Sequence, residues 1–340
     1  MIKKFIEIYN TCTTEDWENL PLILKWFLIV RPCVFSMDIF SVFIGALVSV
    51  NYGKNLNLEF VYLFVIVLFG VILAHAISNM INDYFDWKNG IDTLDYFRAL
   101  YTPHPIVHGL TRPKTLLKVI FIFIFLDFLI ALYLSFKISF KIMLFALAGI
   151  IFAFWYVLPG FSLKKFGLGE FAVFLVWGII IPSGTYMVLT AENPFKFNRL
   201  IYMIPYGLLI TSVLIGKHLD KYEMDKVKKV NTLPVKIGFK NSLILNKILF
   251  TIFLFYPILL IIFDWRNFVF LIVLFSFDRF LKVWEIYTKP KPLEPPEDYP
   301  VWPLWYSAGA FWFTRKAGFL YVISFILKIL LIRRVLLCLS

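Results

Sequence analysis

The sequence predicts an all-α fold, a polytopic bundle of about nine membrane-crossing helices, and three observations predict it. Hydrophobic residues make up 60% of the 340 positions, 39 of them Phe, and the mean hydropathy is +0.80, well above a soluble domain. The apolar residues fall into runs near the ~20 residues that a helix needs to cross a bilayer. The basic residues concentrate in alternate loops, as they do when one side of a membrane retains positive charge. The formal net charge of +12 would also suit a nucleic-acid partner. In this composition it reflects loops lying beside anionic lipid, and no nucleic acid is expected.

Residues 1–20 are polar and mixed in charge, with Lys3, Lys4, Asp16 and Glu18, and no apolar core follows the lysines. They read as an amphipathic or irregular lead-in rather than a cleavable signal peptide, and residues 21–340 read as a single membrane domain. The expected spans are 21–50, 58–82, 115–135, 139–158, 169–190, 200–217, 243–263, 267–284 and 317–336. Asp38 and Ser36 lie early in the first and should face the protein interior. Asp278 and Arg279 interrupt the eighth, where they either pair with each other or mark the membrane edge. The Pro- and Trp-rich stretch from Lys289 to Arg315 suits the headgroup belt. Cys12, Cys33 and Cys338 are odd in number, show no metal spacing, and read as free thiols.

Charge orients these spans. Lys88, Arg98, Arg112 and Lys114 follow the second, Lys164 and Lys165 the fourth, Lys217 to Lys240 the sixth, and Lys289, Lys291, Arg315 and Lys316 the eighth. The intervening loops carry few basic residues, so the first side is expected to be the cytoplasmic face of a multi-pass protein of the cell membrane. Arg333 and Arg334 run against this pattern.

Two acidic clusters fall on that face. The first, Asn79-Met-Ile-Asn82-Asp83-Tyr-Phe-Asp86, ends the second apolar run. At roughly 100° per residue, Asn79, Asp83 and Asp86 lie within about 60° of one another on a helix. Like charges crowded there need a cation between them, and hard oxygens at this density suit Mg²⁺ holding phosphate oxygens. The alternative is a polar helix cap at the membrane surface. The second cluster, Asp220-Lys-Tyr-Glu223-Met-Asp225, ends another apolar run. Acids for divalent metal, lysines for remaining charge and an apolar groove together make a device for a lipid diphosphate. Once the diphosphate is neutralised, its allylic carbon becomes cationic, and aromatic faces stabilise it.

These motifs resemble the UbiA superfamily of membrane prenyltransferases. Asn79-x₃-Asp83-x₂-Asp86 is similar to its first Asp-rich motif, and Gly90-Ile-Asp92 to the branch that prenylates dihydroxynaphthoate in menaquinone synthesis. Tyr156-Val-Leu-Pro159-Gly-Phe-Ser-Leu-Lys164 resembles the family's Tyr-Ser-x-Pro-Pro-x-Arg-Leu-Lys loop. Gly167-Leu-Gly169-Glu170 and Gly184-Thr-Tyr186 follow that branch. Asp220 to Asp225 with Thr232-Leu-Pro-Val-Lys-Ile-Gly238 resembles the second motif and its trailer. The resemblance implies a Mg²⁺-dependent enzyme that moves a polyprenyl group from its diphosphate to an aromatic quinone precursor, with membrane lipid around it. It implies metal ligation by Asn79, Asp83, Asp86, Asp220, Glu223 and Asp225, and catalytic roles for Asp83, Asp220 and Tyr156. Lys164, Lys217, Arg98, Arg31 and His104 are the implied diphosphate-binding residues.

The second motif departs from the family's Asp-x₃-Asp. Counting back from Thr232 makes Asp225 its second acid and puts Lys221 where the first is expected. On a straight helix Asp225 points about 140° from Asp220. The reading chosen is that the helix ends near Asp220 and a loop turns both Asp220 and Asp225 inward, with Glu223 contributing less. His104-Pro-Ile-Val-His108-Gly109 stands where the family has Arg-Pro-x-x-Ser-Gly, with Arg98 as a substitute cation. Other residues carry two readings each: Lys217 on phosphate or on Asp220, Arg31 on diphosphate or as an interface anchor, Tyr156 facing a carbocation or lining the core. Lys165 reads as a surface charge, His75 as a satisfied interior histidine, and His218 as a candidate acceptor base. Two other functions compete: prenylation of a polar lipid headgroup, as in ether-lipid synthesis, and transport of a divalent cation or organic anion. The last predicts acids near the bilayer midplane and inverted repeats, and no repeat is evident.

Overall fold

Within a bilayer the backbone must satisfy its own hydrogen bonds, so long apolar runs fold as helices. A computed structural model describes the chain apart from residues 159, 298 and 340, with the side chains of residues 332–339 also outside the description. Its helices are α1 (Ile2–Thr11), α2 (Leu22–Ile29), α3 (Ser36–Asn51), α4 (Leu58–Lys88), α5 (Phe97–Tyr101), α6 (Pro113–Lys137), α7 (Lys141–Val157), α8 (Gly169–Leu175), α9 (Ile181–Thr190), α10 (Phe197–Asp220), α11 (Tyr222–Val227), α12 (Leu233–Ile237), α13 (Phe239–Phe263), α14 (Phe277–Ile286) and α15 (Tyr306–Leu339). A π-helical turn, Val176–Ile180, joins α8 to α9.

Six helices among the described residues are long and apolar enough to cross a membrane: Pro32–Asn51, Leu58–Lys88, Pro113–Lys137, Gly169–Thr190, Phe197–Asp220 and Phe239–Phe263. The chain is an integral membrane protein of all-α architecture. The nine expected spans are not all matched by that criterion. Lys141–Val157 is apolar but shorter, and the 267–284 stretch divides into a 3₁₀ segment, Trp265–Ser276, and the amphipathic α14. Asp278 there pairs with Lys316 at 2.5 Å rather than with Arg279, whose guanidinium donates to the Trp312 carbonyl.

Close helix approach fixes the frame of the site. A Cβ on Gly45 of α3 would lie 2.3 Å from the Pro182 carbonyl oxygen of α9, and one on Gly207 of α10 would lie 2.7 Å from the Gly178 Cα in the π turn. Any side chain would therefore push these elements apart. On one side α10, α13, α15 and the 3₁₀ segment bury Tyr206, Phe250, Phe253, Phe270, Phe313 and Phe325. On the other, α4, α6 and α7 turn Phe69, Phe121, Phe125 and Leu144 outward toward lipid.

The first expected span is broken. Arg31 takes a left-handed backbone, φ 58°, between α2 and a 3₁₀ turn at Pro32–Val34. The following proline disfavours α geometry at Arg31, so the helix cannot run through. Cys12, itself left-handed at the C-terminus of α1, forms a disulfide with Cys33 across 5.4 Å between Cα atoms. The free-thiol reading of these two is thus corrected: a pairing 21 residues apart is set by tertiary folding of α1 onto α2, which spacing alone does not show. Cys338, with Arg333 and Arg334, lies outside the described side chains. Phe5 stacks on Phe27 at 4.2 Å, so the lead-in is a helix laid on α2.

Candidate active site

Asparagine and aspartate are tolerated at the end of α4 because partners from four other segments meet them. Asp83 is fully buried and accepts from both Arg31 and Arg98, the latter at 3.0 Å to each oxygen. Asp86, one turn on, accepts from Lys164 Nζ at 2.7 and 2.5 Å. Gly90, at φ 68°, ends the helix in the left-handed form that favours glycine, and the Ile91 and Asp92 amides then donate to the Asp86 carbonyl. This turn returns Asp92 to the site, where it meets His104 Nε2 at 3.2 Å. Asp83, Asp92 and His104 each bring one donor atom within 4.8 Å of the others, all buried. Burial alone would lower the pKa of Arg98, but the Asp83 carboxylate and Tyr101 hold it above its ordinary value.

The second motif folds differently from its expected form. The α10 helix does end at Asp220, but the short helix α11 follows rather than a loop. The Asp220 carboxylate accepts from the Trp305, Tyr306 and Ser307 amides, each at 2.9 Å, and from the Ser307 hydroxyl. It therefore braces the first turn of α15, where an acid offsets unpaired amides and the helix dipole. Glu223 is exposed beside Lys226. Asp225 does turn inward, where Tyr96 (2.5 Å), Lys221 (3.1 Å) and Thr232 donate to it. None of these three acids lies on the cavity wall; Lys217 and Lys221 do. In this arrangement Asp220 is engaged by the first turn of α15, Asp225 by Tyr96, Lys221 and Thr232, and Glu223 by solvent and Lys226. Burial would depress the Lys221 pKa, yet Asp225 and Tyr96 hold it well above its usual value. Tyr101 is pushed up by burial but drawn lower on balance by Lys217, Arg98 and Arg31.

The wall belongs to a cavity of about 890 Å³. Its polar end carries Arg31, Asn79, Asn82, Asp86, Asp92, Arg98, Lys164, Lys217 and Lys221, while Asp83 sits behind it. His104 likewise lies behind, fully buried against Asp92, so its implied contact with diphosphate is not direct. Its apolar end runs between α4, α6, α7 and α9 past Val67, Ile130, Leu134, Phe145, Ile181 and Val188. Tyr156 stands between the ends, its ring 5.9 Å from Lys164 Nζ and its hydroxyl 3.5 Å from His218 Nε2. His218 Nδ1 meets Glu170 at 2.6 Å. The sequence reading missed Asn82, Asp92, Lys221, Tyr96 and Glu170 as site residues. Asn82 was findable, one turn from Asn79 within the same motif. Tyr96 and Glu170 carry no local signal, because their partners Asp225 and His218 are distant in sequence.

The sequence model of the UbiA prenyltransferase family matches residues 39–308. The chain belongs to that family. Its relatives include the 1,4-dihydroxy-2-naphthoate octaprenyltransferase of Bacillus subtilis, 23% identical over 233 residues that cover 68% of this chain and 71% of that one. The enzyme of the same name from Haemophilus influenzae is 28% identical over 63% of this chain and 69% of its own. A UbiA homolog from Archaeoglobus fulgidus bound to GPP and Mg²⁺ superposes with a TM-score of 0.62 at 17% identity, over 90% of this chain and 99% of the other. As a UbiA-family member this chain is a membrane prenyltransferase, and a transport role is set aside.

Proposed function

We propose that this UbiA-family enzyme transfers a polyprenyl group from its diphosphate to an aromatic, quinone-precursor acceptor, working with Mg²⁺ from the cytoplasmic face of the cell membrane. One observation carries the reading: the cavity joins a pole of carboxylates, amides, lysines and arginines to a long apolar channel. An amphiphile with an anionic head and an isoprenoid tail matches both halves. The naphthoate prenyltransferases among its relatives support the aromatic acceptor. The catalytic domain spans 21–340, with residues 1–20 laid against it.

The donor set on the wall fits Mg²⁺. Asp86 and Asp92 offer carboxylate oxygens, and Asn79 and Asn82 offer amides. Asn79 donates through Nδ2 to the Val30 carbonyl at 3.1 Å, and its oxygen has no hydrogen-bond partner among the described residues. Hard oxygens of this kind, few in number and open on one side, suit an ion that keeps waters and phosphate oxygens as its other ligands. When bound, Mg²⁺ neutralises the diphosphate and makes it a good leaving group.

The chain's own residues do the rest. Lys217 makes no hydrogen bond to protein among the described residues and faces the cavity, so its ammonium is available to phosphate. Lys164 and Lys221 stand beside it, each now held by an acid. Arg31 and Arg98 both pair with Asp83, and that fixed wall of two guanidiniums on one carboxylate opposes the developing negative charge of the departing diphosphate. The Tyr156 ring, at the junction of the two halves, offers its face to an allylic cation. The apolar channel excludes water that would otherwise capture that cation.

Purified enzyme given Mg²⁺, a polyprenyl diphosphate and a mixture of acceptors should yield a prenylated naphthoate or related aromatic by mass spectrometry. Product on a glycerol-phosphate lipid alone would replace the aromatic reading with the lipid-headgroup one.

A further inference from the structure

A second polar cluster, built on Asp38, His75 and Trp177, lines the cavity outside the residues of the diphosphate pole. Asp38 of α3 is fully buried. His75 Nδ1 of α4 meets Asp38 Oδ2 at 2.6 Å, and Trp177 Nε1 of the π turn donates to Asp38 Oδ1 at 2.9 Å. The Ser41 hydroxyl takes up the Trp177 carbonyl at 2.6 Å, holding the turn in its irregular form. Single π turns within helices are frequent at functional sites because they re-aim a side chain.

We propose that His75, oriented by Asp38 and Trp177, is the base that activates the acceptor's hydroxyl group. This deepens the aromatic reading above and rests on it. With Nδ1 committed to Asp38, the proton of the neutral ring sits on Nδ1 and Nε2 is left as an acceptor. That Nε2 has no hydrogen-bond partner among the described residues, and His75 lines the cavity. The rings of Phe35 and Trp177 pack on the imidazole at 5.8 and 5.2 Å, fixing its plane. The other three histidines are not placed for this. His218 has both nitrogens engaged, by Glu170 and Tyr156. His104 is held between Asp92 and the amides of Ile106 and Val107, and His108 accepts from the His104 amide, off the cavity wall.

The position along α4 is also right. His75 lies one turn, about 6 Å, before Asn79 on the same helix face, so it flanks the place where the first prenyl carbon meets the channel. A buried carboxylate, histidine and indole would be a costly ornament on a wall made only for isoprenoid methyls.

The reaction balances within the two substrates. The acceptor's O–H proton passes to His75 Nε2, and the oxygen's electron pair enriches the ring. A ring carbon bonds the first prenyl carbon while the C–O bond to diphosphate breaks, and the diphosphate leaves with that electron pair. The ring carbon then gives its proton to the departed diphosphate, and His75 returns its own to the oxygen.

His75→Gln and Asp38→Asn test this. At saturating prenyl diphosphate, His75→Gln should lower kcat by about 100-fold or more, with Mg²⁺-dependent binding of inorganic diphosphate unchanged. The deficit should shrink across naphthols of increasing hydroxyl acidity, and added imidazole should restore turnover in His75→Gly. A merely structural histidine would move none of these in that order. If His75→Gln fails to fold, Trp177→Phe keeps both Asp38 and His75 and should show a smaller loss with the same acidity dependence. Turnover in His75→Gln within about twofold of wild type, or a deficit blind to acceptor acidity, would overturn the base while leaving aromatic prenylation intact. Wild type that prenylates no aromatic at all would overturn both.

Discussion

Asp83 and Asp86 are three residues apart and do different work. Asp83 is sealed behind the cavity by two arginines, whereas Asp86 faces it with Lys164 as its partner. Removing one member of a buried ion pair strands the others at a cost of about 3–5 kcal/mol. Asp83→Ala should therefore lower thermal stability sharply, because Arg31 and Arg98 would both lose their anion. Asp86→Ala strands one buried cation, Lys164, rather than two, so it should destabilise less than Asp83→Ala yet lose most turnover and most Mg²⁺-dependent diphosphate binding. Unfolding melts beside diphosphate titrations check the pair, and an Asp83→Ala protein as stable as wild type would contradict the division. From sequence the two looked equivalent, since helical angle places both on one face. What separates them is the left-handed break at Arg31, which sends a guanidinium from another segment to Asp83 alone.

At the scale of elements, the first motif was legible and the second was not. The helix bearing Asn79 to Asp86 follows from its apolar run and 3.6-residue period. The end of α10 at Asp220 was likewise expected. That Asp220 would cap α15, 85 to 87 residues away, depends on a tertiary meeting no local pattern encodes. Asp220→Ala should cost about 2 kcal/mol of stability through the lost cap, with charge-assisted bonds adding to it. Glu223→Gln should be silent in both stability and rate. Asp225→Asn should reduce turnover by freeing Lys221 and Tyr96 to move, with the metal requirement unaltered. A rise in the Mg²⁺ concentration needed by Asp225→Asn would instead restore that acid to the metal's ligand set. The same limit applies to the disulfide, which joins two segments whose sequences give no sign of meeting.

For the molecule as a whole, composition and loop charge were sufficient to give the class and the common face of the two motifs. Lys228 Nζ donates to the Gly90 carbonyl at 3.1 Å and lies near Thr93 Oγ1 at 3.3 Å, so the loops after α4 and α10 touch. Lys196 and Lys228 flank opposite ends of the α10 segment. Membrane-impermeant thiol reagents on single cysteines should label Lys88→Cys and Lys228→Cys from one side, and Lys196→Cys from the other. Labelling of the first two from opposite sides would leave no shared pole for a diphosphate. The count of spans was less legible, because α7 is short and residues 265–286 change helix type midway.

The pairing of Lys164 with Asp86, and of Lys221 with Asp225, has a thermodynamic consequence. Every such acid is already counter-charged from within the chain, so binding at this pole is an exchange of partners rather than an addition. A diphosphate arriving alone must draw Lys164 away and strand Asp86; a divalent cation arriving alone must displace the ammonium and strand that instead. Together they satisfy both sides of the exchange. Linkage then requires each to raise the other's affinity by the same factor, and replacing Lys164 with Met should shrink that factor toward one. Calorimetric titration of inorganic diphosphate at stepped Mg²⁺ concentrations would read it directly, and in the native chain the two ligands should behave as a single reluctant guest that enters whole or not at all.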